Sequence, residues 1–429
     1  MSRQSLTVTD NRTGRHFDIP IEHGAVRAAD LTAPFRTTAG PGLVIYDPGL
    51  GNTAICSSSI TDIELEHGSL EHRGYKIQDL AQHSTYTEVA YLLINGELPS
   101  ASQFEAFNTA LASRKFVHEN VKRFISGFRY DAEPMTVLAA TVGALGTFYP
   151  DAGSIADSSA RTAQVMRLLA KMPTLAAYAF RHRNGQPYVN PSDDLSYIGN
   201  LLSMMFLMSE LRYQVNPVLE RALDVLLMVH ADHEQSAATT AVRAVGSAHV
   251  DPYAAVAAGV YALSGPMRGR ADSDTLQMLR QIGSVAAVAD YLERVKTGED
   301  RLFGFGHWVY RAPDPRAGIL RAQLATLAEH APASPLLAVA DELARVASDD
   351  EYFAVRGIHP NVDLYSGLVY QAIGIPDQMF GVLFAVARSA GWFAQWLEMV
   401  TDPEQTTVRP RQIYIGEHRR EYVPMGQRG

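Results

Sequence analysis

The chain changes its hydrophobic periodicity once, near residue 75. Before that point apolar and polar residues alternate over short runs. "SLTVTDNRTGRHFDIPI" reads as two strands joined by an Asp-Asn-Arg-Thr-Gly turn. Short β-like runs and turns continue through "GLVIYDPGLGNTAICSSSITDIELEHGSLEHRGYKI". From "IQDLAQHSTYTEVAYLLING" onward apolar residues recur every three or four positions, the helical period. The clearest predicted helices are "NPVLERALDVLLMVHADHEQ", "DPYAAVAAGVYALSG", "PRAGILRAQLATLAEHA" and "PDQMFGVLFAVARSAGWFAQWLEMV". Several open with Pro or Asp in a first-turn position and stop at Gly. The pattern predicts a mainly α protein with a small N-terminal β region.

Composition narrows the class. A chain of 429 residues accommodates two or three domains, or one large helical domain with an appendage. With 47% hydrophobic and 19% charged residues it buries a substantial core and does not read as disordered. The formal net charge of -9 argues against nucleic acid or an anionic membrane as a partner. Cys56 is the single cysteine, which excludes an internal disulfide framework and fits a reducing compartment. "MSRQSLTVTD" lacks the apolar core of a signal peptide, and "MFGVLFAVARSAGWFAQW" contains Arg388, which disfavours a membrane span. The expectation is a soluble, cytoplasmic protein.

Four clusters in the C-terminal half join polar residues to sharp turns. "HADHEQ" places His230 and His233 at i, i+3 near a helix end. That spacing suits a metal site, but equally a helix C-terminus whose histidines complement the dipole, and no third ligand stands at recognisable spacing. "GFGHWVYRAPDPRAG" frames His307 with glycines and starts a helix at Arg316. "HPNVDLYSG" sets Asp363 at the head of an apolar helix, where an N-cap is the plainer role. Arg388 lies inside "FAVARSAGWF", and Arg409 and Arg411 lie in "VRPRQIYIG". An arginine on so apolar a helix needs an anion or a carboxylate, because unpaired burial costs several kcal/mol.

Together, "HADHEQ", "GP..G.A", "GFGH…DPRA", "PNVDLYSG", "AR..GW.A.W" and "RPRQIYIG" occur in the order found in citrate synthases. "LEHRGY", "LLINGELP", "LLAKMPTLAA" and "NPVLERALD" resemble the bacterial, hexamer-forming type, so the resemblance runs over nearly the whole chain. It implies the citrate synthase fold, with a large and a small helical domain and a cleft between them. The expected divisions are an N-terminal β-rich region at 1–50, a large domain at 51–278, a small domain at 279–388, and a return to the large domain at 389–429. It also implies condensation of acetyl-CoA, as co-substrate, with a 2-oxo acid, with no metal or bound cofactor, in a homodimer or hexamer.

Residue by residue, the resemblance makes Asp363 the base that takes a proton from the thioester methyl. His307 is then the donor to the ketone oxygen of the acceptor. His233 contacts that acceptor, and Arg316, Arg388 and Arg409 hold its carboxylates, Arg409 from a neighbouring subunit. Contacts to CoA are expected around "FGFGHWVYRAP". The family pattern Gly-Pro-x-His-Gly-Gly-Ala reads here Gly265-Pro266-Met267-Arg268-Gly269-Arg270-Ala271, so Arg268 stands where the third catalytic group is expected. Arg268 can do the histidine's electrostatic work, recruit an acceptor richer in negative charge such as phosphonopyruvate, or mark a chain that has lost the chemistry. Arg270 equally suits a surface pair with Asp272 or Asp274.

Overall fold

The computed structural model describes residues 4–35, 42–265, 270–330 and 334–428. The polypeptide divides into two units. One comprises Met1–Ser57 with Val408–Gly429, and the other Ser58–Thr407. In the first, β1 (Ser5–Asp10) and β2 (Arg15–Pro20) form the expected antiparallel hairpin, with Ser5 opposite Pro20 and Asp10 opposite Arg15. The carbonyl of Asp10 accepts the amides of Thr13 and Gly14, closing the turn.

The second unit begins with a small antiparallel sheet, in which β4 (Ser69–His72) lies between β3 (Thr61–Glu64) and β5 (Tyr75–Lys76). Helices follow from Ile77 to Thr401. Those that build the core and the site are α1 (Ser158–Arg183), α2 (Pro217–His230), α3 (Pro252–Leu263), α4 (Ala271–Ile282), α5 (Pro315–Ala328), α6 (Asp363–Ile373) and α7 (Phe380–Thr401). The start signals act as sequence chemistry predicts. Asn216, Asp251 and Asp314 accept first-turn amides with their side chains, each followed by a proline at the first helical position.

The core is organised around α7, which packs against α1, α2 and α3. Trp392, Phe393 and Trp396 on α7 are fully buried, the state expected of a helix apolar on every face. No single helix among the described residues is long and apolar enough to cross a membrane, and α7 serves as a core helix. Gly391 lets it press onto the end of α2. Its amide donates to Ala231 O at 3.0 Å, and a β-carbon there would lie 2.3 Å from Asp232 Oδ1.

Candidate active site

A cavity of about 580 Å³ within the Ser58–Thr407 unit brings His233, His307, Arg316, Asp363 and Arg388 onto one surface. Its walls come from the segment after α2, the 302–308 loop, the first turns of α5 and α6, and α7.

One asparagine fixes the two residues expected to act directly. Asn361 N–H donates to Gly304 O at 2.9 Å and its Nδ2 to Gly306 O at 2.8 Å, while Gly306 N–H donates to His359 O at 2.7 Å. Asn361 Oδ1 accepts the amide of Asp363 at 2.9 Å. The loop bearing His307 and the first residue of α6 are therefore held by the same side chain. Gly304 has φ +75°, and a β-carbon there would lie 2.9 Å from Leu364 Cα, so glycine is needed for both conformation and space. The N-cap position of α6 belongs to Val362, so the capping role weighed for Asp363 does not apply.

His307 Nδ1 accepts the amides of Val309 at 3.0 Å and Tyr310 at 3.3 Å. An accepting Nδ1 puts the hydrogen of a neutral imidazole on Nε2. His233 Nε2 pairs with the Tyr310 hydroxyl at 3.1 Å, and the rings of His233 and His307 lie 5.1 Å apart. Burial, with the nearby charges of Arg316 and Arg388, holds His233 well below the ordinary imidazole range. It is a neutral ring at physiological pH.

The arginines are buried and each is anchored by one edge. Arg316 donates from Nε to Asp314 Oδ1 at 2.9 Å and from Nη2 to Asp314 Oδ2 at 2.7 Å. Burial pushes the Asp314 carboxyl up, but Arg316 outweighs it and holds the group below the usual carboxylate range. Asp314 Oδ2 also accepts Val362 N–H at 3.1 Å, tying α5 to the start of α6. Arg388 donates from Nε to His230 O at 2.6 Å, with its guanidinium carbon 4.7 Å from the centre of the Phe384 ring. Behind it, buried Asp232 accepts from Thr61 Oγ1 at 2.6 Å.

His230 corrects the dipole reading. It is fully buried, and burial followed by the charges of Arg316 and Arg388 lowers its pKa to about 3. The ring is neutral and gives the helix end no cation; its Nδ1 is paired with Leu226 O at 3.0 Å. His230 and His233 thus turn to different partners. Among the described residues no three His, Cys, Asp or Glu side chains are grouped to hold a metal ion.

Arg270 is an exposed side chain paired with Asp274 at 3.6 Å, the surface arrangement weighed for it. Asp272, two residues on, is buried. Arg268 lies outside the described residues. Arg409 belongs to the other unit and is exposed there. Sequence reasoning passed over Asp314, Asn361 and Tyr310, although "DPRA" and "PNVD" contained the first two. A polar residue flanked by Pro next to a candidate site residue was the available signal.

A larger cavity of about 660 Å³, lined by residues including Lys115, Asp193, Arg221 and Asp224, lies elsewhere in this unit. Four of its charged side chains pair with one another, Lys115 with Asp193 at 2.7 Å and Arg221 with Asp224 at 2.9 Å. It lacks the convergence of imidazole rings, carboxylate and buried guanidiniums seen in the first.

Comparison with known proteins agrees with this geometry. The model of the family "Citrate synthase, C-terminal domain" matches residues 49–411. A citrate synthase of Dictyostelium discoideum is 45% identical over 433 residues, covering 99% of this chain and 85% of the relative. A peroxisomal citrate synthase of the same organism is also 45% identical, covering 99% of this chain and 88% of its own length. The crystal structure of citrate synthase from Pyrobaculum aerophilum superimposes with a TM-score of 0.83 at 34% identity, covering 90% of this chain and 98% of that one. A ternary complex of Thermoplasma acidophilum citrate synthase with carboxymethyl coenzyme A and oxaloacetate superimposes with a TM-score of 0.81 at 27% identity, covering 89% and 98%. With its mainly α architecture and its sequence matched over nearly its full length, the chain belongs to the citrate synthase family of acyltransferases.

Proposed function

We propose that the cavity condenses acetyl-CoA with oxaloacetate, Asp363 acting as base and His307 as donor to the ketone oxygen. The observation that carries this reading is the joint positioning of Asp363 and His307 by Asn361, in a cavity also lined by the buried guanidiniums of Arg316 and Arg388. Asp363 takes a proton from the methyl carbon of the thioester, and the enolate carbon attacks the acceptor ketone. The Nε2 hydrogen of His307 meets the alkoxide that forms there. Water then cleaves the thioester and frees CoA. Neutral His233 and the guanidiniums of Arg316 and Arg388 hold the acceptor, since a small dianion needs fixed guanidinium donors to stay in register.

Arg409 is the third arginine of this reading, delivered by a second copy of the chain, so that the working enzyme is at least a dimer. The 279–388 region is proposed as the small domain that closes on 51–278, and the cytoplasm as the compartment. A second reading rests on Arg268 in the sequence. Its added charge in place of a histidine suits a phosphonate-bearing acceptor such as phosphonopyruvate.

Release of free thiol from acetyl-CoA, measured with a panel of 2-oxo acids, tests both. Preference for oxaloacetate supports the first reading, and preference for phosphonopyruvate replaces it with the second. Absence of thiol release with every acceptor in the panel, despite binding of CoA, overturns the enzymatic reading altogether.

A further inference from the structure

Asp272 was an unremarkable acid in the sequence, one of several after a Gly-Arg turn. In the structure it leaves the surface. It occupies the first turn of α4, is buried, and faces the first turn of α6. Ser366 Oγ donates a short hydrogen bond to its Oδ1. Ser366 stands one turn along α6 from Asp363, so this bond sets the Asp272 carboxyl beside the first residue of α6. Two carboxyls so placed hold one proton between them. Like charges in a buried site exclude double ionisation.

The environment decides which one holds it. Asp363 is half-buried and lines the cavity, whereas Asp272 is buried behind it. The charge of the pair therefore lies on Asp363. Burial, followed by the charge of Asp363, pushes Asp272 well above the usual carboxylate range, against the opposing effects of the Ser366 hydrogen bond and of Arg316. Among the described residues Tyr370 on α6, itself raised by burial and then by the charge of Asp272, also acts with it. The acids on the Pro335–Asp349 helix, which also packs on α4, are paired elsewhere. Asp341 is bound by Arg321 at 2.7 Å, and Glu342 and Asp349 by Arg345. Asp274 pairs with Arg270.

We propose that Asp272 is a positioning residue for the Asp363 base, a resident neutral acid whose O–H donates to the Asp363 carboxylate and holds it aimed at the substrate carbon. This rests on Asp363 as base. At rest the pair holds one proton and one negative charge. When the C–H bond of the thioester methyl breaks, its proton goes to Asp363 and its electron pair to the enolate. The two carboxyls are then both neutral. Loss of the resident proton at high pH makes the pair a dianion, which repels the anionic acceptor and leaves Asp363 without its donor.

The pH profile of kcat/KM tests this. The wild type is expected to lose activity on an alkaline limb as the second proton leaves. In Asp272→Asn that limb moves or disappears, because the amide donates to Asp363 without titrating. In Asp272→Ala, with no donor, kcat falls about tenfold or more, with a smaller change in the KM for acetyl-CoA. An alkaline limb identical in wild type and Asp272→Asn overturns the proposal. A readout independent of turnover is the carbonyl stretch of a protonated carboxyl in the wild-type minus Asp272→Asn infrared difference at neutral pH. Its presence supports the shared proton and its absence refutes it. If Asp363→Asn remains fully active while that band is present, the catalytic reading of Asp363 fails and the carboxyl pair stands. If the band is absent and Asp363→Asn is inactive, the pair fails and the base stands.

Discussion

Arg316 gives one edge of its guanidinium to Asp314, through contacts of 2.9 and 2.7 Å, and keeps Nη1 without a partner among the described residues. This division explains how a buried arginine can wait for an anion. Asp314 offsets the burial of the charge and fixes the orientation of the guanidinium fork. Replacing Asp314 by Asn keeps the cap on Arg316 N–H but removes the countercharge. The expected result is a loss of about 3–5 kcal/mol in stability, the range for breaking a buried pair, together with a raised KM for the 2-oxo acid. Denaturant unfolding and steady-state kinetics check the two effects.

Val309 and Tyr310 occupy His307 Nδ1, so the proposed donation to the ketone oxygen falls to Nε2. His307→Ala should lower kcat by about 10²–10³, the usual cost of losing one oxyanion donor. His307→Gln restores a donor near the Nε2 position but gives the two amides no acceptor, so it should recover only part of the loss. Equal activity of the Ala and Gln variants would mean that the ring does not donate to the reacting oxygen.

Gly304→Ala tests the coupling of loop and helix. Its β-carbon would fall 2.9 Å from Leu364 Cα in a backbone conformation that L residues avoid. The expected cost is about 1–3 kcal/mol of strain, with a drop in kcat exceeding any change in acetyl-CoA affinity. Thermal melting and single-turnover rates measure these.

Three buried histidines, His72, His230 and His233, set an acid response. His72 and His230 are each lowered to about 3, first by burial and then by Arg388 and Arg316. An unfolded histidine binds its proton near 6.5, so below that pH the unfolded chain takes up protons that the folded one refuses. Their contribution is complete above about pH 6.5 and is lost as pH falls toward 3, by about 1.4 kcal/mol per pH unit for each ring. Asp224, raised to about 6 by burial, has the opposite slope between its unfolded value and 6. Stability measured from pH 7.5 to 5 in wild type and His72→Asn isolates the histidine part. The variant should show a shallower fall, and an unchanged slope would remove His72 from the account.

Much of this protein was legible in one dimension. The switch from alternation to the helical period separated the β region from the helices, because side-chain direction follows backbone periodicity alone. Asn216, Asp251 and Asp314 marked helix starts because capping is local chemistry. The ordered motifs that gave the family also held His233, His307, Arg316, Asp363 and Arg388, which the fold brings to one cavity.

Partner identity was not legible where it depends on residues far apart in the chain. Arg388 meets His230 O across 158 positions, and Asp272 meets Ser366 across 94. No local signal distinguishes the exposed Arg270–Asp274 pair from the buried Asp272 two residues away, because burial depends on which helix packs against that face. The sequence by itself determined the helices, the hairpin and the residues that bear chemistry. Tertiary packing decided which edge of Arg316 meets Asp314, which nitrogen of His307 accepts backbone amides, and that Asp272 is buried against α6. Each of these is a property of the partners that surround a group, and only the folded chain supplies them.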